Sequence, residues 1–149
     1  MKKMGIFLDT GFYMALINKS DKNHEKSKEI LQKIKSGIYG QVYSSLFIMS
    51  ETGTLAAIRT QRNSAIIKEL KRLFIGELKI ATPLEISASI LEKTWNLYIK
   101  KLISEKNKGK RSFLSFIDSS NIILCQEHQI ENIVAFDGDF EGWLNVVIN

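Results

Sequence analysis

Short apolar runs alternate with segments of helical periodicity along this chain. We interpret the apolar runs as buried strands and the periodic segments as helices, an order typical of βα units around a mostly parallel sheet. The predicted strands cover residues 5–8, 41–44, 78–81, 133–136 and 146–148. The predicted helices cover residues 11–17, 24–36, 45–60, 63–74 and 116–127, and the longest helix is predicted to start at Pro83. The pattern therefore predicts the α/β fold class.

The helix predicted at residues 45–60 carries a charge on its apolar face. Ser45 is a suitable N-cap for it. Its predicted buried stripe comprises Phe47, Ile48, Leu55 and Ile58. Glu51 lies four residues from Phe47 and four from Leu55, so it falls on that stripe. Either the helix is rotated enough to expose this acid, or the acid has a function.

Length and composition predict one domain. A chain of 149 residues with 44% hydrophobic content can bury one substantial core, so we expect a single domain over residues 1–149. No apolar run is long enough to span a bilayer, and the run at residues 5–8 is too short for a signal-peptide core. The single cysteine, Cys125, lies in an apolar run, which predicts a buried, inert thiol in a reducing compartment. We therefore expect a cytoplasmic protein.

The net charge of +5 is concentrated in one segment, residues 100–111. This segment holds one acid, Glu105, and six basic residues: Lys100, Lys101, Lys106, Lys108, Lys110 and Arg111. Because Asn107 and Gly109 interrupt the helical pattern, we predict a mobile basic loop. Such a loop suits a phosphate backbone, and its candidate contacts are Lys106, Lys108, Lys110 and Arg111. A solvated linker without a partner is the alternative.

Five acids lie in or directly after the most apolar runs: Asp9, Glu51, Asp118, Asp137 and Asp139. In a parallel α/β sheet, acids that follow strands and acids near helix starts meet at the carboxyl ends of the strands. Carboxylates brought together there lose hydration and repel one another, so they need protons, positive partners or a metal ion. A cluster of oxygen ligands suits Mg²⁺ or Mn²⁺.

Four of these positions also have an ordinary structural explanation. Asp9 follows a strand and could cap the next helix. Asp118 completes a Ser-x-x-Asp capping box that starts at Ser115. Residues 137–139 form an Asp-Gly-Asp turn in which Gly138 would adopt a positive φ. These explanations are independent of one another, whereas a common site explains all of the acids at once.

The order of these residues resembles the PIN-domain ribonucleases, a family that includes the toxins of VapBC-type toxin-antitoxin pairs. The matching segments are Phe7-Leu8-Asp9-Thr10, Asp21-Lys22-Asn23-His24, Ser50-Glu51, Ser115-Phe116-Ile117-Asp118-Ser119 and Ala135-Phe136-Asp137-Gly138-Asp139-Phe140. The resemblance spans nearly the whole chain. It implies a three-layer α/β/α fold, hydrolysis of RNA that depends on Mg²⁺ or Mn²⁺, and an antitoxin protein as a partner.

The resemblance also implies roles for individual residues. The metal-binding and catalytic acids would be Asp9, Glu51, Asp118 and Asp137, while Asp139 would support the metal ligands from outside or share the metal. Thr10 and Ser119 would be supporting hydroxyls beside these acids. Two features depart from the family pattern: Ala135 replaces a frequent Thr, and the basic segment before Asp118 is longer than usual.

Other interpretations remain open at this point. A PIN-like protein that binds RNA with weak or no catalysis is the main alternative. A phosphatase of the haloacid dehalogenase type would need an Asp two residues after Asp9, where this chain has Gly11. We expect His24 to be structural, His128 to be exposed, and Trp95, Tyr98 and Trp143 to belong to the core instead of stacking on bases. The apolar helices over residues 45–74 exceed the needs of one core, which suggests a homodimer.

Overall fold

The computed structural model describes residues 5–148. Within that range five strands form one sheet: β1 (Ile6–Leu8), β2 (Val42–Ser45), β3 (Thr82–Leu84), β4 (Asn132–Val134) and β5 (Asn145–Val147). Six helices surround it: α1 (Thr10–Ile17), α2 (His24–Lys35), α3 (Leu46–Arg59), α4 (Ser64–Phe74), α5 (Ala88–Asn107) and α6 (Phe116–Glu127). None of the helices in this range is long and apolar enough to cross a bilayer. The predicted α/β fold is confirmed.

The sheet is parallel throughout, with the strand order β3-β2-β1-β4-β5. The central strand β1 pairs with β2 on one side and with β4 on the other. All three of its residues are fully buried, as expected for a strand covered on both faces. The chain grows outward from β1 through β2 to β3, and then returns to add β4 on the other side. The carboxyl ends of β1 and β4 therefore form a topological switch point, where ligands bind in sheets of this kind.

The core is continuous from the sheet into the first helices. Tyr13 of α1 is buried and stacks on Phe74 of α4, with ring centroids 4.2 Å apart. His24 ties α2 to α1, since its Nδ1 is 2.7 Å from the carbonyl oxygen of Ala15. The predicted structural role of His24 is therefore confirmed. The predicted burial of Cys125 is confirmed, and burial raises the pKa of its thiol, which disfavours the reactive thiolate.

The region around Pro83 differs from the prediction. Residues 78–81 do not form a strand; β3 starts at Thr82, and Pro83 lies inside it. Proline is tolerated there because β3 is an edge strand. The longest helix, α5, instead starts at Ala88 and is capped by Ser87, whose hydroxyl accepts from the amide of Ile90.

Helix α5 contains the first part of the basic segment at residues 100–111. It runs to Asn107, so Lys100, Lys101 and Lys106 are helical and the prediction of a loop from residue 100 onward was wrong. Only the residues after Asn107 leave the helix, through Gly109 with a φ of +74°. A long amphipathic helix thus carries the first half of this positive charge.

Several predicted core positions are exposed. The Ser45 cap on α3 is confirmed by its hydroxyl accepting from the amide of Ile48 at 3.1 Å. However, the buried stripe of α3 comprises Ile48, Thr52 and Ala56, while Ile58 is 68% exposed. Trp95 on α5 is also exposed. Glu51 lies at the edge of the buried stripe and is half-buried.

Helix α4 offers a test of capping away from the sheet edge. The Asn63 side chain accepts from the amides of Ala65 and Ile66, at 3.1 and 3.3 Å. We expect Asn63→Ala to lower the free energy of unfolding by about 1 kcal/mol, measured by urea denaturation. Asn63→Asp keeps an acceptor and should unfold near the wild-type midpoint; equal losses in both variants would contradict a capping role.

Candidate functional site

The structure brings all five acids to the carboxyl edge of the sheet. Asp9 directly follows β1, and its amide donates to the carbonyl oxygen of Val134 at the end of β4. Glu51 lies in α3, and Asp118 lies in the first turn of α6. Electrostatic repulsion links them: the charge of Asp137 acts on Asp9 and Asp118, and the charge of Glu51 acts on Asp9. Asp139 acts on Asp118 and Asp137.

Asp9 is the most buried member of this group, with 6% exposure. It occupies the N-cap position of α1, yet its side chain makes no capping hydrogen bond, so capping does not explain this acid. Its pKa is raised to about 7. Desolvation by burial is the largest cause, and the charges of Asp137 and Glu51 also raise the pKa, whereas hydrogen bonds from the Thr10 amide and from Asn121 lower it. An acid at this position is costly to ionise unless a cation is present.

Thr10 and Glu51 form a direct pair. The Thr10 hydroxyl donates to Glu51 Oε1 at 2.6 Å, across 41 residues of sequence. Because Thr10 is buried at the start of α1, this bond holds the glutamate from α3 next to the strand that carries Asp9. The supporting hydroxyl predicted at position 10 therefore lies beside one of the acids.

Asp118 combines a structural feature with an electrostatic one. The Ser115 hydroxyl accepts from the amide of Asp118 at 3.0 Å, which is the forward half of the predicted capping box. The Asp118 side chain is partly buried. Desolvation raises its pKa most, and the charges of Asp9, Asp137 and Asp139 raise it further. The hydrogen bond from the Ser115 side chain lowers this pKa and so offsets only part of the shift. Ser119, in contrast, donates its hydroxyl to the carbonyl of Ser115 within its own helix.

The loop after β4 holds the last two acids. The amide of Asp139 donates to Asp137 Oδ1 at 3.2 Å, so the predicted turn is present. Gly138 does not have a positive φ, so that part of the prediction was wrong. Phe140 is fully buried and anchors the loop to the core. Desolvation raises the pKa of Asp137, and the charge of Asp139 adds to this shift.

No internal cation neutralises the site in the part of the chain that the structure describes. The ion pairs found there involve Glu25, Glu77, Glu105 and Glu127, and none of the five clustered acids. In the same range, no three His, Cys, Asp or Glu side chains are arranged in their present positions so that they could hold a metal ion. The acids are thus close enough to repel one another, and they would have to converge further around an ion.

Asn121 is a site residue that the sequence patterns did not identify. It is fully buried on α6, and its Nδ2 donates to Asp9 Oδ1 at 3.2 Å. Its Oδ1 is also buried and has no hydrogen-bond partner. This orphaned oxygen belongs to the amide that contacts Asp9, so the donor set fits a hard cation. The only sequence signal was a polar residue one turn after Asp118, on an apolar stretch.

The basic residues lie outside this acidic group. Lys106, Lys108, Lys110 and Arg111 are all exposed. Lys110 pairs with Glu105 at 3.3 Å, and Lys101 lies 4.0 Å from the same carboxylate. Residues 108–115 connect α5 to α6, so these basic residues lie directly before the helix that carries Asp118. Exposure leaves these cations accessible to a polyanion.

Comparisons with known proteins identify the family and the fold. The family model described as PIN domain matches residues 6–142. The 23S rRNA-specific endonuclease VapC20 of Mycobacterium tuberculosis is 27% identical over 137 residues, covering 92% of each chain. The crystal structure of VapC20, described as a sarcin-ricin loop cleaving toxin, has a TM-score of 0.73 and 24% identity, covering 95% of this chain and 98% of that one. A toxin-antitoxin complex from Klebsiella pneumoniae has a TM-score of 0.60 and 19% identity, with 95% of each chain covered.

Repulsion within the acidic group makes stability depend on pH. The pKa values of Asp9 and Asp118 are raised in the fold, so the protonated acids favour folding at low pH. This contribution is present below the ordinary pKa of about 4 and is lost as the pH rises through the raised values. In EDTA we expect Asp118→Asn to raise the melting temperature by about 3 °C or more at pH 8 and to have little effect at pH 4.5.

Thermal denaturation followed by circular dichroism at both pH values measures this difference. Glu85→Gln, which changes an exposed acid outside the site, serves as the matched control and should leave the curve unchanged. Equal melting temperatures for Asp118→Asn and the wild type at pH 8 would mean that Asp118 is not under repulsion.

Proposed function

The chain belongs to the PIN domain family, and on this premise we propose that it is a metal-dependent endoribonuclease that hydrolyses phosphodiester bonds in RNA. One observation carries the proposal: carboxylates from the end of β1, from α3, from α6 and from the loop after β4 repel one another at the switch point of the sheet. None of the basic side chains within residues 5–148 forms an ion pair with these carboxylates. A site with this charge calls for a positive ion from outside.

We propose Mg²⁺ or Mn²⁺ as that ion, held by Asp9, Asp118 and Asp137. The donors are all oxygen atoms, which suits these two metals better than Zn²⁺ or Cu²⁺. When bound, a divalent ion supplies Lewis-acid chemistry: it offsets negative charge on a phosphate and activates water for attack. Because the pKa values of Asp9 and Asp118 are raised, these acids are costly to ionise without a positive partner. A bound cation would stabilise their ionised forms.

The remaining side chains have supporting tasks in this proposal. Glu51, fixed by the Thr10 hydroxyl, orients the attacking water through its carboxylate or contributes to a second ion. Asp139 adds negative charge beside Asp118 and Asp137 and can share the metal. Asn121 orients the Asp9 carboxylate through the hydrogen bond to Asp9 Oδ1, and this bond lowers the pKa of Asp9 and so favours its ionised form. Exposed Lys106, Lys108, Lys110 and Arg111 bind the RNA backbone.

We propose ribosomal RNA as the substrate class and a toxin role in a toxin-antitoxin pair. The support is the relation to VapC20, a 23S rRNA-specific endonuclease that matches over 92% of both chains. A ribosomal substrate would place the activity in the cytoplasm, and one nuclease domain over residues 1–149 would be sufficient for it. The intact acid set disfavours the alternative of a PIN-fold RNA-binding protein without catalysis.

Protein partners form a separate part of the proposal. An antitoxin would bind an exposed apolar stripe on α5 that comprises Trp95, Ile99 and Ile103, with exposed fractions of about one half each. Such patches mark interaction surfaces. A homodimer would use α3, where exposed Ile58 stands beside Gly53 and Ala57 along a shallow groove.

Cleavage assays test the catalytic part of the proposal. We expect the wild-type protein to cut isolated 23S rRNA in Mg²⁺ or Mn²⁺ and to stop in EDTA. Asp9→Asn and Asp118→Asn should each lower the rate at least about 100-fold, because each removes a charge that holds the ion. Primer extension on the RNA locates the cut, and Glu85→Gln should cleave at the wild-type rate.

The outcomes separate the two candidate functions. Cleavage that survives EDTA, or that survives both substitutions in folded protein, would overturn the metal site. RNA binding without any cleavage would favour the non-catalytic binder.

The role assigned to Asn121 can be tested without a substrate. We expect Asn121→Ala to weaken Mn²⁺ binding about 10-fold or more, as for other residues that orient a metal ligand, measured by isothermal titration calorimetry. Asn96→Ala, an exposed change on α5, is the control. Unchanged Mn²⁺ affinity in folded Asn121→Ala would exclude this role.

A further inference from the structure

A cleft lies between the end of α5 and the loop after β4, beside the acidic group. It encloses about 290 Å³, at the small end of the roughly 300–1,000 Å³ typical of ligand pockets. Asp139 lines this cleft, and the same carboxylate repels Asp118 and Asp137. A group bound in the cleft would therefore lie next to the proposed catalytic acids. The cleft has room for one planar ring system and not for a run of nucleotides.

Two exposed aromatic residues line this cleft, Phe113 and Trp143. Phe113 is 54% exposed and Trp143 is 39% exposed. Neither ring is therefore part of the core, so the core position predicted for Trp143 was wrong. The Lys101 ammonium lies over the Trp143 ring, 5.6 Å from its centroid, and this contact restrains the indole before any ligand binds. A restrained, half-exposed aromatic ring is suited to stacking because little conformational freedom is lost on binding.

The charges in the cleft do not favour a phosphate group. Its two lysines, Lys101 and Lys110, both lie near the partly buried Glu105 carboxylate, at 4.0 and 3.3 Å. Asp139 and Glu141 add two further carboxylates, so acids outnumber bases among the lining residues. Carboxylates only accept hydrogen bonds when ionised. They therefore suit the N–H groups of a nucleobase and repel a phosphate.

We propose that this cleft binds one unpaired nucleobase of the RNA, stacked on Trp143, next to the phosphate held at the acidic group. The inference rests on the proposed function and adds to it a site that selects the substrate by its bases. The carboxylate acceptors favour a base with an exocyclic amino group over uracil. The exposed cations at Lys106, Lys108 and Arg111 would bind the backbone on either side.

The test compares two probes by fluorescence anisotropy in Mg²⁺ at fixed ionic strength. One probe is a labelled single-stranded RNA of mixed sequence, and the other is an abasic strand of the same length and charge. Full-length protein carrying Asp118→Asn prevents cleavage during the measurement. We expect this protein to bind the RNA more tightly than the abasic strand. Adding Trp143→Ala should lower affinity for the RNA about 10- to 100-fold and leave affinity for the abasic strand unchanged.

Two further variants make the result specific. Trp143→Phe keeps an aromatic ring and should restore most of the RNA affinity. Trp95→Ala removes a tryptophan that is also exposed but lies outside the cleft, and it should bind both strands like the parent. An equal loss for both strands in Trp143→Ala, or a loss of RNA binding in Trp95→Ala instead, would overturn the inference.

These outcomes are distinct from failure of the nuclease proposal. Cleavage by the wild type together with unchanged RNA binding in Trp143→Ala would retain the nuclease and reject the base-binding cleft. Binding that depends on both the bases and Trp143, without cleavage by the wild type, would retain the cleft and reject the nuclease.

Discussion

The carboxylates gathered at the carboxyl edge of the sheet are the constraint on which the rest of this structure depends, since none of them takes part in the ion pairs found within residues 5–148. Asp9 is at the centre of this group because it directly follows β1, the middle strand of the sheet, which is paired with β2 and with β4. Neither neighbouring strand can move away without breaking the sheet, so the acid cannot escape to solvent. Desolvation and repulsion of these acids thus lower the stability of the fold, and burial of the apolar residues around β1 has to offset this cost.

Different local contacts hold Asp118, Glu51 and the pair Asp137 and Asp139, and together these contacts explain why the group stays assembled despite its repulsion. The Ser115 cap orients the start of α6 and with it Asp118. The Thr10 hydroxyl holds Glu51, and buried Phe140 anchors the loop that carries Asp137 and Asp139. Sites built on such rigid elements hold their geometry better than sites on free loops.

The surface around the acids is divided by chemistry. Uncompensated carboxylates occupy the switch point, exposed cations follow α5, and a small cleft with half-exposed aromatic rings lies between them. For a nucleic-acid substrate, this division separates bond cleavage from backbone attraction and from recognition of a base. Affinity from the cations would be sensitive to salt, whereas stacking in the cleft would be much less so.

The amino-acid sequence by itself determined the features that depend on near neighbours. The strand at β1, helix α6, and the caps at Ser45 and Ser115 were predicted correctly, because periodicity and capping involve residues a few positions apart. The acids were identified in the same way, from their places at the ends of apolar runs. The position of β3 was missed, since residues 78–81 are as apolar as a strand and only pairing with β2 selects residues 82–84. Tertiary structure alone decided the environment of the acids: Asn121 reaches Asp9 across 112 residues of sequence, and desolvation depends on atoms that the whole fold brings together.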